Sequence, residues 1–193
     1  MRKRAIEART RELEDANRRL EKLSRIDGLT GIANRRTFDL TLEQKWQRAQ
    51  RRQRPLSLVM LDVDHFKSYN DGYGHLAGDQ VLIVLARILA QQARRGGELA
   101  ARYGGEEFVL LLPDCLAPAA WQVAENVRMA LHEQALPHQG SPWGVVTVSL
   151  GVAGCVPQAG QTSTSLLQAA DTALYQAKQA GRDSIRQVAV GKG

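Results

Sequence analysis

Nowhere in the 193 residues does an unbroken apolar stretch reach the roughly 18 residues a membrane-spanning helix needs. A secretory signal core is missing too, because Met1-Arg2-Lys3-Arg4 runs straight into charged, helix-prone sequence. Together these absences predict a cytoplasmic chain with no membrane segment. Cysteine is scarce: Cys115 and Cys155 are the only two, and with neither metal nor redox spacing they read as reduced thiols. No internal repeat is found. Residues 1–24 contain neither glycine nor proline, so nothing in that stretch interrupts a helix. What the chain does have is an ordinary apolar fraction of 44%, sufficient for a buried core in one domain with some extra sequence.

The net charge of +6 invites a nucleic-acid partner, but its distribution argues against one. Residues 1–54 hold 16 Lys/Arg against 8 Asp/Glu, a balance of +8, while the rest of the chain holds 10 against 12, a balance of −2. The excess sits on an N-terminal arm and the helix after it, and the body is near neutral. No nucleic acid is expected.

Ile6, Leu13 and Leu20 recur every seven residues, with Ala16 and Leu23 alongside and Asn17 between. Two chains can zip along such a seam as a parallel coiled coil, with Asn17 fixing register. Residues 1–26 are therefore expected to be a helical, coiled-coil linker, suited to connecting an upstream sensor not present in this chain. Residues 27–190 are the expected globular domain.

Within that domain Asp27-Gly28-Leu29-Thr30-Gly31 reads as a turn, and Asn34 as the N-cap of a helix from Arg35 to Arg52 that Pro55 stops. Leu56 to Leu61 is a nearly continuous apolar run, the signature of a strand buried on both faces. A polar, glycine-punctuated segment from His65 to His75 follows, then a helix from Gly78. Leu99–Tyr103 and Phe108–Leu112 read as hairpin arms, residues 119–135 as a helix, 145–153 as a strand, 166–180 as a helix closed by Gly181, and 184–188 as a last strand. The order predicts a mixed α/β fold of the α+β kind, with a central, mostly antiparallel five-stranded sheet surrounded by helices.

The hairpin sequence is Arg102-Tyr103-Gly104-Gly105-Glu106-Glu107-Phe108. Adjacent Gly104 and Gly105 suit a two-residue turn, and their lack of side chains leaves room for a ligand against the backbone. A hairpin has no structural need of the Glu106-Glu107 pair. Asp62-Val63-Asp64 ends the first strand, and the two aspartates, two apart, point the same way if the strand continues. Hard cations take carboxylate, carbonyl and phosphate oxygens, so Asp62, the Val63 carbonyl and Glu106 can form a Mg²⁺ site if the hairpin lies beside that strand. An Asp-x-Asp at a strand end also suits a solvated turn. The amides of Phe66 and Lys67 can face a phosphate if a helix begins there, and the Lys67 side chain is near at hand. Lys178 and Arg182, four apart at the end of the last helix, can hold a polyphosphate or simply offset the helix dipole. Asn70 and Asp79 offer the amide and carboxylate that read a guanine edge, or serve as caps.

These motifs, from about Asp27 to Arg186, resemble the GGDEF family of diguanylate cyclases, here with a Gly-Gly-Glu-Glu-Phe signature. The resemblance also rests on Asn34-Arg35-Arg36, Gly74-His75, Gly78-Asp79, Val148-Ser149-Leu150-Gly151-Val152, Ala170-Asp171, Ala177-Lys178 and Gly181-Arg182. It implies a nucleotide-cyclase or polymerase-palm-like fold and a signalling helix upstream. It implies condensation of two GTP into cyclic di-GMP and two pyrophosphates across a homodimer whose subunits each hold one GTP. It also implies site roles: Asp62, the Val63 carbonyl and Glu106 on Mg²⁺ (or Mn²⁺), supported by Glu107; Asn70 and Asp79 on guanine; Lys67, Lys178 and Arg182 at the phosphates, beside the Phe66 amide already singled out; and Gly104 and Gly105 beneath the nucleotide. The family's inhibitory product motif, Arg-x-x-Asp, is here Arg95-Gly96-Gly97-Glu98, with Asn126 where a second arginine often assists. The longer side chain and the two glycines, which loosen the turn, predict weakened product inhibition. A catalytically silent domain that binds GTP or cyclic di-GMP is the alternative.

Overall fold

A computed structural model describes residues 24–191, so most of the expected N-terminal helix and its coiled-coil seam lie outside the described residues. Residues 24–26, which the expected span includes, are not helical; Ile26 forms a bridge with Ala33.

The order of elements is α1 (Arg35–Arg52), β1 (Leu56–Val63), α2 (Phe66–Tyr73), α3 (His75–Gln92), β2 (Leu99–Gly104), β3 (Glu107–Pro113), α4 (Ala117–Glu133), β4 (Val148–Cys155), α5 (Ser163–Gln179) and β5 (Ile185–Gln187). The five strands form one sheet in the order β2-β3-β1-β4-β5. Every pairing is antiparallel except β4 with β5. The expected fold class is therefore observed, with one element added: the polar segment after β1 forms the short helix α2, and α3 starts at His75, earlier than the Gly78 expected. Glycine at positions 72 and 74 hides both helices from a periodicity reading. Among the described residues no helix is long and apolar enough to cross a membrane.

β1 occupies the centre, and all eight of its residues are buried. Its side chains alternate between two cores, as period-two geometry requires. Leu56, Leu58 and Met60 meet Phe38, Leu42 and Trp46 of α1 and Leu166 and Leu174 of α5. Val59, Leu61 and Val63 meet Leu82, Leu85 and Leu89 of α3 and Ala124, Val127 and Leu131 of α4. Each fully buried Leu or Phe contributes roughly 1.5–3 kcal/mol of burial energy, so both faces hold β1 firmly. α5 lies against β4 without a spacer at Gly151, where an added Cβ would strike the backbone of Ala170 and Leu174.

The caps follow the sequence closely. The Asn34 side chain accepts from the Thr37 amide at 2.9 Å, and Thr162 forms a capping box with Ser165 that starts α5 earlier than the apolar periodicity suggests.

Candidate active site

The hairpin and the end of β1 meet side by side. The register puts Asp62 opposite Glu107, and the Val63 amide donates to the Glu106 carbonyl at 3.3 Å. The tip differs from the expected turn. Gly104 is the last residue of β2 and pairs with Glu107, so the two turn residues are Gly105 and Glu106. A register shift between Arg102 and Gly104 makes this possible by absorbing Tyr103 as a bulge. Gly105 takes a positive φ of 33°, and the space where a Cβ would stand is open at both Gly104 and Gly105.

Two contacts brace the tip from behind. Arg102 donates from Nε to the Gly105 carbonyl at 2.9 Å and from Nη1 to both oxygens of Asp27 at 3.3 Å. Asp27 also accepts from the amide and hydroxyl of Thr30, at 2.9 and 2.6 Å. Burial works against the charge on Asp27, but the two Thr30 bonds and the Arg102 guanidinium outweigh it and hold the carboxyl below its ordinary range. The turn at Asp27-Gly28-Leu29-Thr30 is thereby tied to the hairpin carbonyl through one guanidinium.

Asp62 is 7% exposed. Its carboxyl is raised to about 6 in balance: burial pushes it up, the neighbouring Lys178 amine pulls it down, and the charges of Glu106 and Glu107 push it up again. Lys178 Nζ lies 3.1 Å from Asp62 Oδ2. Asp64 does something else. It is 2% exposed and accepts from the hydroxyls of Ser149 and Thr147, at 2.6 and 2.8 Å, and from the Asp183 amide at 3.0 Å. The two aspartates of the Asp-x-Asp are thus a site carboxylate and a structural one. The polar Thr147-x-Ser149 pair leading into an apolar strand is the sequence signal for that difference.

Among the described residues no three His, Cys, Asp or Glu side chains gather in a metal-ligand cluster. What the site offers a cation is a set of hard oxygens: the Asp62 and Glu106 carboxylates and the Val63 carbonyl. Hard oxygens of this kind are what Mg²⁺ takes, and a cation there would share the Asp62 carboxylate with the Lys178 amine.

α2 starts at Phe66 without a side-chain cap: His65 takes φ 52° and makes no cap hydrogen bond. The first-turn amides, those of Phe66 and Lys67 among them, thus have no side-chain oxygen turned on them. His138 secures this start. Its Nδ1 accepts from the Gly140 amide at 3.2 Å, which leaves the proton on Nε2 to donate to the His65 carbonyl at 3.1 Å. Lys67 is exposed. Asn70 Oδ1 is buried with no hydrogen-bond partner, the only such side-chain atom among the described residues. It lies against Gly78, where any Cβ would collide with it. Asp79 sits in the second turn of α3, so it is not a cap.

Lys178 and Arg182 do not share a helix face. α5 ends at Gln179, and Arg182 lies beyond it in a left-handed turn with φ 68°, exposed. Arg95 and Glu98 lie apart from the hairpin tip, in the loop before β2. Glu98 Oε2 accepts from the Arg95 amide at 2.9 Å and the Glu98 amide donates to the Arg95 carbonyl at 3.0 Å, so this turn is closed on itself rather than loose. A cavity of about 370 Å³ lies at this other end of β1, lined by Lys45, Arg48, Arg52, Arg54, Gly96 and Asp114. The unpartnered Asn70 Oδ1 and the paired acidic strand ends lie elsewhere, so the candidate chemistry is assigned to the hairpin end and not to this cavity.

Residues 24–184 match the family model described as "Diguanylate cyclase, GGDEF domain". The chain is 37% identical over 172 residues to the probable diguanylate cyclase DgcC of Escherichia coli K12, covering 89% of this chain and 45% of that one. It is 38% identical over 188 residues to the diguanylate cyclase VdcA of Vibrio cholerae, covering 93% of this chain and 52% of that one. The chain thus spans about half the length of these relatives. Among solved structures it is similar to the coiled coil and GGDEF domain of DgcB from Caulobacter crescentus in complex with c-di-GMP, with a TM-score of 0.76 and 35% identity over 95% of this chain and 98% of that one.

Proposed function

Since the chain belongs to the GGDEF-domain diguanylate cyclase family, we propose that it condenses two molecules of GTP into cyclic di-GMP and releases two pyrophosphates. The observation that carries this reading is the register that sets Asp62 and Val63 of β1 beside Glu106 and Glu107 of the hairpin. Residues 27–190 form the cyclase domain in this proposal, and residues 1–26 a coiled-coil connector to an upstream sensor. The coiled coil of the DgcB structure supports that assignment.

The family is metal-dependent, and Mg²⁺ is the ion proposed here, with Mn²⁺ as the substitute. Asp62, the Val63 carbonyl and Glu106 would hold it, with Glu107 adding negative charge opposite Asp62. When bound, the ion neutralises phosphate charge as the phosphoryl bond exchanges. Asn70, whose Oδ1 has no partner in the protein, and Asp79 take the guanine edge. The uncapped amides of Phe66 and Lys67, with the side chains of Lys67, Lys178 and Arg182, orient the phosphates. Open space above Gly104 and Gly105 admits the nucleotide.

One subunit holds one GTP, so the reaction needs two subunits face to face. The 3′-hydroxyl oxygen of each nucleotide attacks the α-phosphorus of the other; one P–O ester bond forms, the bond to pyrophosphate breaks, and the hydroxyl proton is released. Done twice, this closes the ring. The homodimer is thus part of the active site, and cyclic di-GMP is its product. At the Arg95–Glu98 turn the Glu98 carboxylate is engaged by the Arg95 amide, which supports weak product inhibition there.

Glu106→Ala tests the reading. It should abolish GTP turnover while leaving the melting temperature within a few degrees of the parent. Full turnover in that variant would remove the metal assignment. A silent binding module would instead titrate with GTP or cyclic di-GMP and show no turnover in the parent chain.

A further inference from the structure

Gly181, Arg182 and Asp183 follow α5 with three consecutive positive φ angles, 107°, 68° and 40°. Glycine explains only the first, where Arg182 N donates to the Ala177 carbonyl at 3.1 Å and Gly181 N to that of Lys178 at 3.3 Å, in the Schellman pattern. Two successive non-glycine residues in the left-handed region are strained, and such strain persists only where surrounding contacts over-determine it.

Those contacts come from two directions. The Asp183 amide donates to buried Asp64, the carboxylate two residues beyond Asp62, at 3.0 Å. The Asp183 side chain, 10% exposed, accepts from Arg128 Nη1 at 3.1 Å, and His132 Nε2 stands 3.7 Å from its other oxygen. Arg128 is itself fixed: Glu125, one turn earlier on α4, takes its Nε and Nη2 at 3.0 and 2.8 Å. Asp64, Asp183, Arg128 and Glu125 are each engaged in this series of contacts. The Arg182 side chain is exposed, with no hydrogen bond or ion pair among the described residues. Helix α4 thus fixes, through one guanidinium, the backbone that carries the exposed Arg182 just beyond the end of α5.

We propose that Arg128, acting through Asp183, is a positioning residue for the nucleotide phosphates: it holds the strained turn that presents Arg182. The proposal rests on the reading that Arg182 contacts those phosphates. A purely structural role for Arg128 would lower stability and the active fraction but leave KM for GTP in the folded protein unchanged.

The experiment is steady-state GTP turnover by the full chain with the variants Arg182→Ala, Arg128→Gln and the double variant. Arg182→Ala should raise KM about tenfold, the worth of one charge-assisted contact. Arg128→Gln should raise KM by about fivefold or more, and the double variant should be no worse than Arg182→Ala within about twofold, because both act on one contact. Asp183→Gly relieves the strained φ yet cuts the tie to Arg128, so it remains testable if Arg128→Gln does not fold; its KM should rise as for Arg128→Gln. An unchanged KM in Arg128→Gln or Asp183→Gly, or effects that multiply in the double variant, would overturn the proposal while leaving the Arg182 assignment intact. An unchanged KM in Arg182→Ala would instead remove the phosphate assignment, and this proposal with it.

Discussion

Lys178, in the last turn of α5, places its amine 3.1 Å from the carboxylate of Asp62 at the end of β1. The contact joins a predicted phosphate ligand to a predicted metal ligand across the seam where α5 lies on the sheet. Removing the amine takes away the charge that most opposes protonation of Asp62. Lys178→Met should therefore move the acidic limb of the turnover profile to higher pH and raise KM for GTP by about tenfold for one lost charge-assisted contact. A pH–rate series on the variant checks both.

The titration of Asp62 has opposite consequences for stability and for activity. Its folded value, about 6, lies above the ordinary 3.8, so the folded protein binds this proton more tightly than the unfolded chain does. This contribution to stability is full below 3.8 and is lost as pH rises to about 6. Without divalent cation, the stability advantage of Asp62→Asn over the parent should grow across that window and level off above it. Metal-supported turnover should run the other way and fall as the solution becomes acidic, because a cation needs the ionised carboxylate and must compete with its proton. Melting curves in chelator beside turnover measurements give the two signs.

Asp27 and Arg102 brace the hairpin from the start of the domain. The pair is mostly buried, so cutting it by Asp27→Ala leaves the guanidinium without its carboxylate and should cost roughly 1–3 kcal/mol. It should also lower turnover, because the Gly105 carbonyl loses a firmly oriented donor. Urea unfolding and GTP turnover on the same preparation test this; lost stability with undiminished turnover would show that the brace does not reach the site.

Gly78→Ala sets helix propensity against space. Alanine stabilises a helix interior by about 1 kcal/mol over glycine. Here its methyl would occupy the place of Asn70 Oδ1. The folded variant should keep its helix content yet bind GTP at least tenfold more weakly, an expectation set by one displaced polar contact in a buried site. Circular dichroism and GTP titration separate the two effects.

Much of this was legible in the sequence because the periodicities were strong. The apolar run Leu56–Leu61 could only be a strand covered on both faces, and the Gly-Gly-Glu-Glu tip announced a turn with surplus charge. Asn34 before α1 and Gly181 after α5 marked helix ends by their own chemistry. What stayed hidden depended on tertiary partners. Helix α2 is polar and carries Gly72, so nothing local favours it, but Tyr69 buried among its neighbours holds it in place. The division of labour between Asp62 and Asp64 is set by hydroxyls more than 80 residues away in the chain. Arg128 and His138 stand in no motif and Arg102 heads the hairpin motif without a role of its own, so what the three do arises from backbone groups and carboxylates brought to them by the fold.

The central claim is most directly tested by incubating the purified chain with GTP and Mg²⁺ and identifying the products. The account predicts cyclic di-GMP with two pyrophosphates for each molecule formed, at a rate per chain that rises with protein concentration as dimers assemble. GTP recovered unchanged at concentrations where the chain is dimeric, or hydrolysed without cyclic dinucleotide, would contradict it.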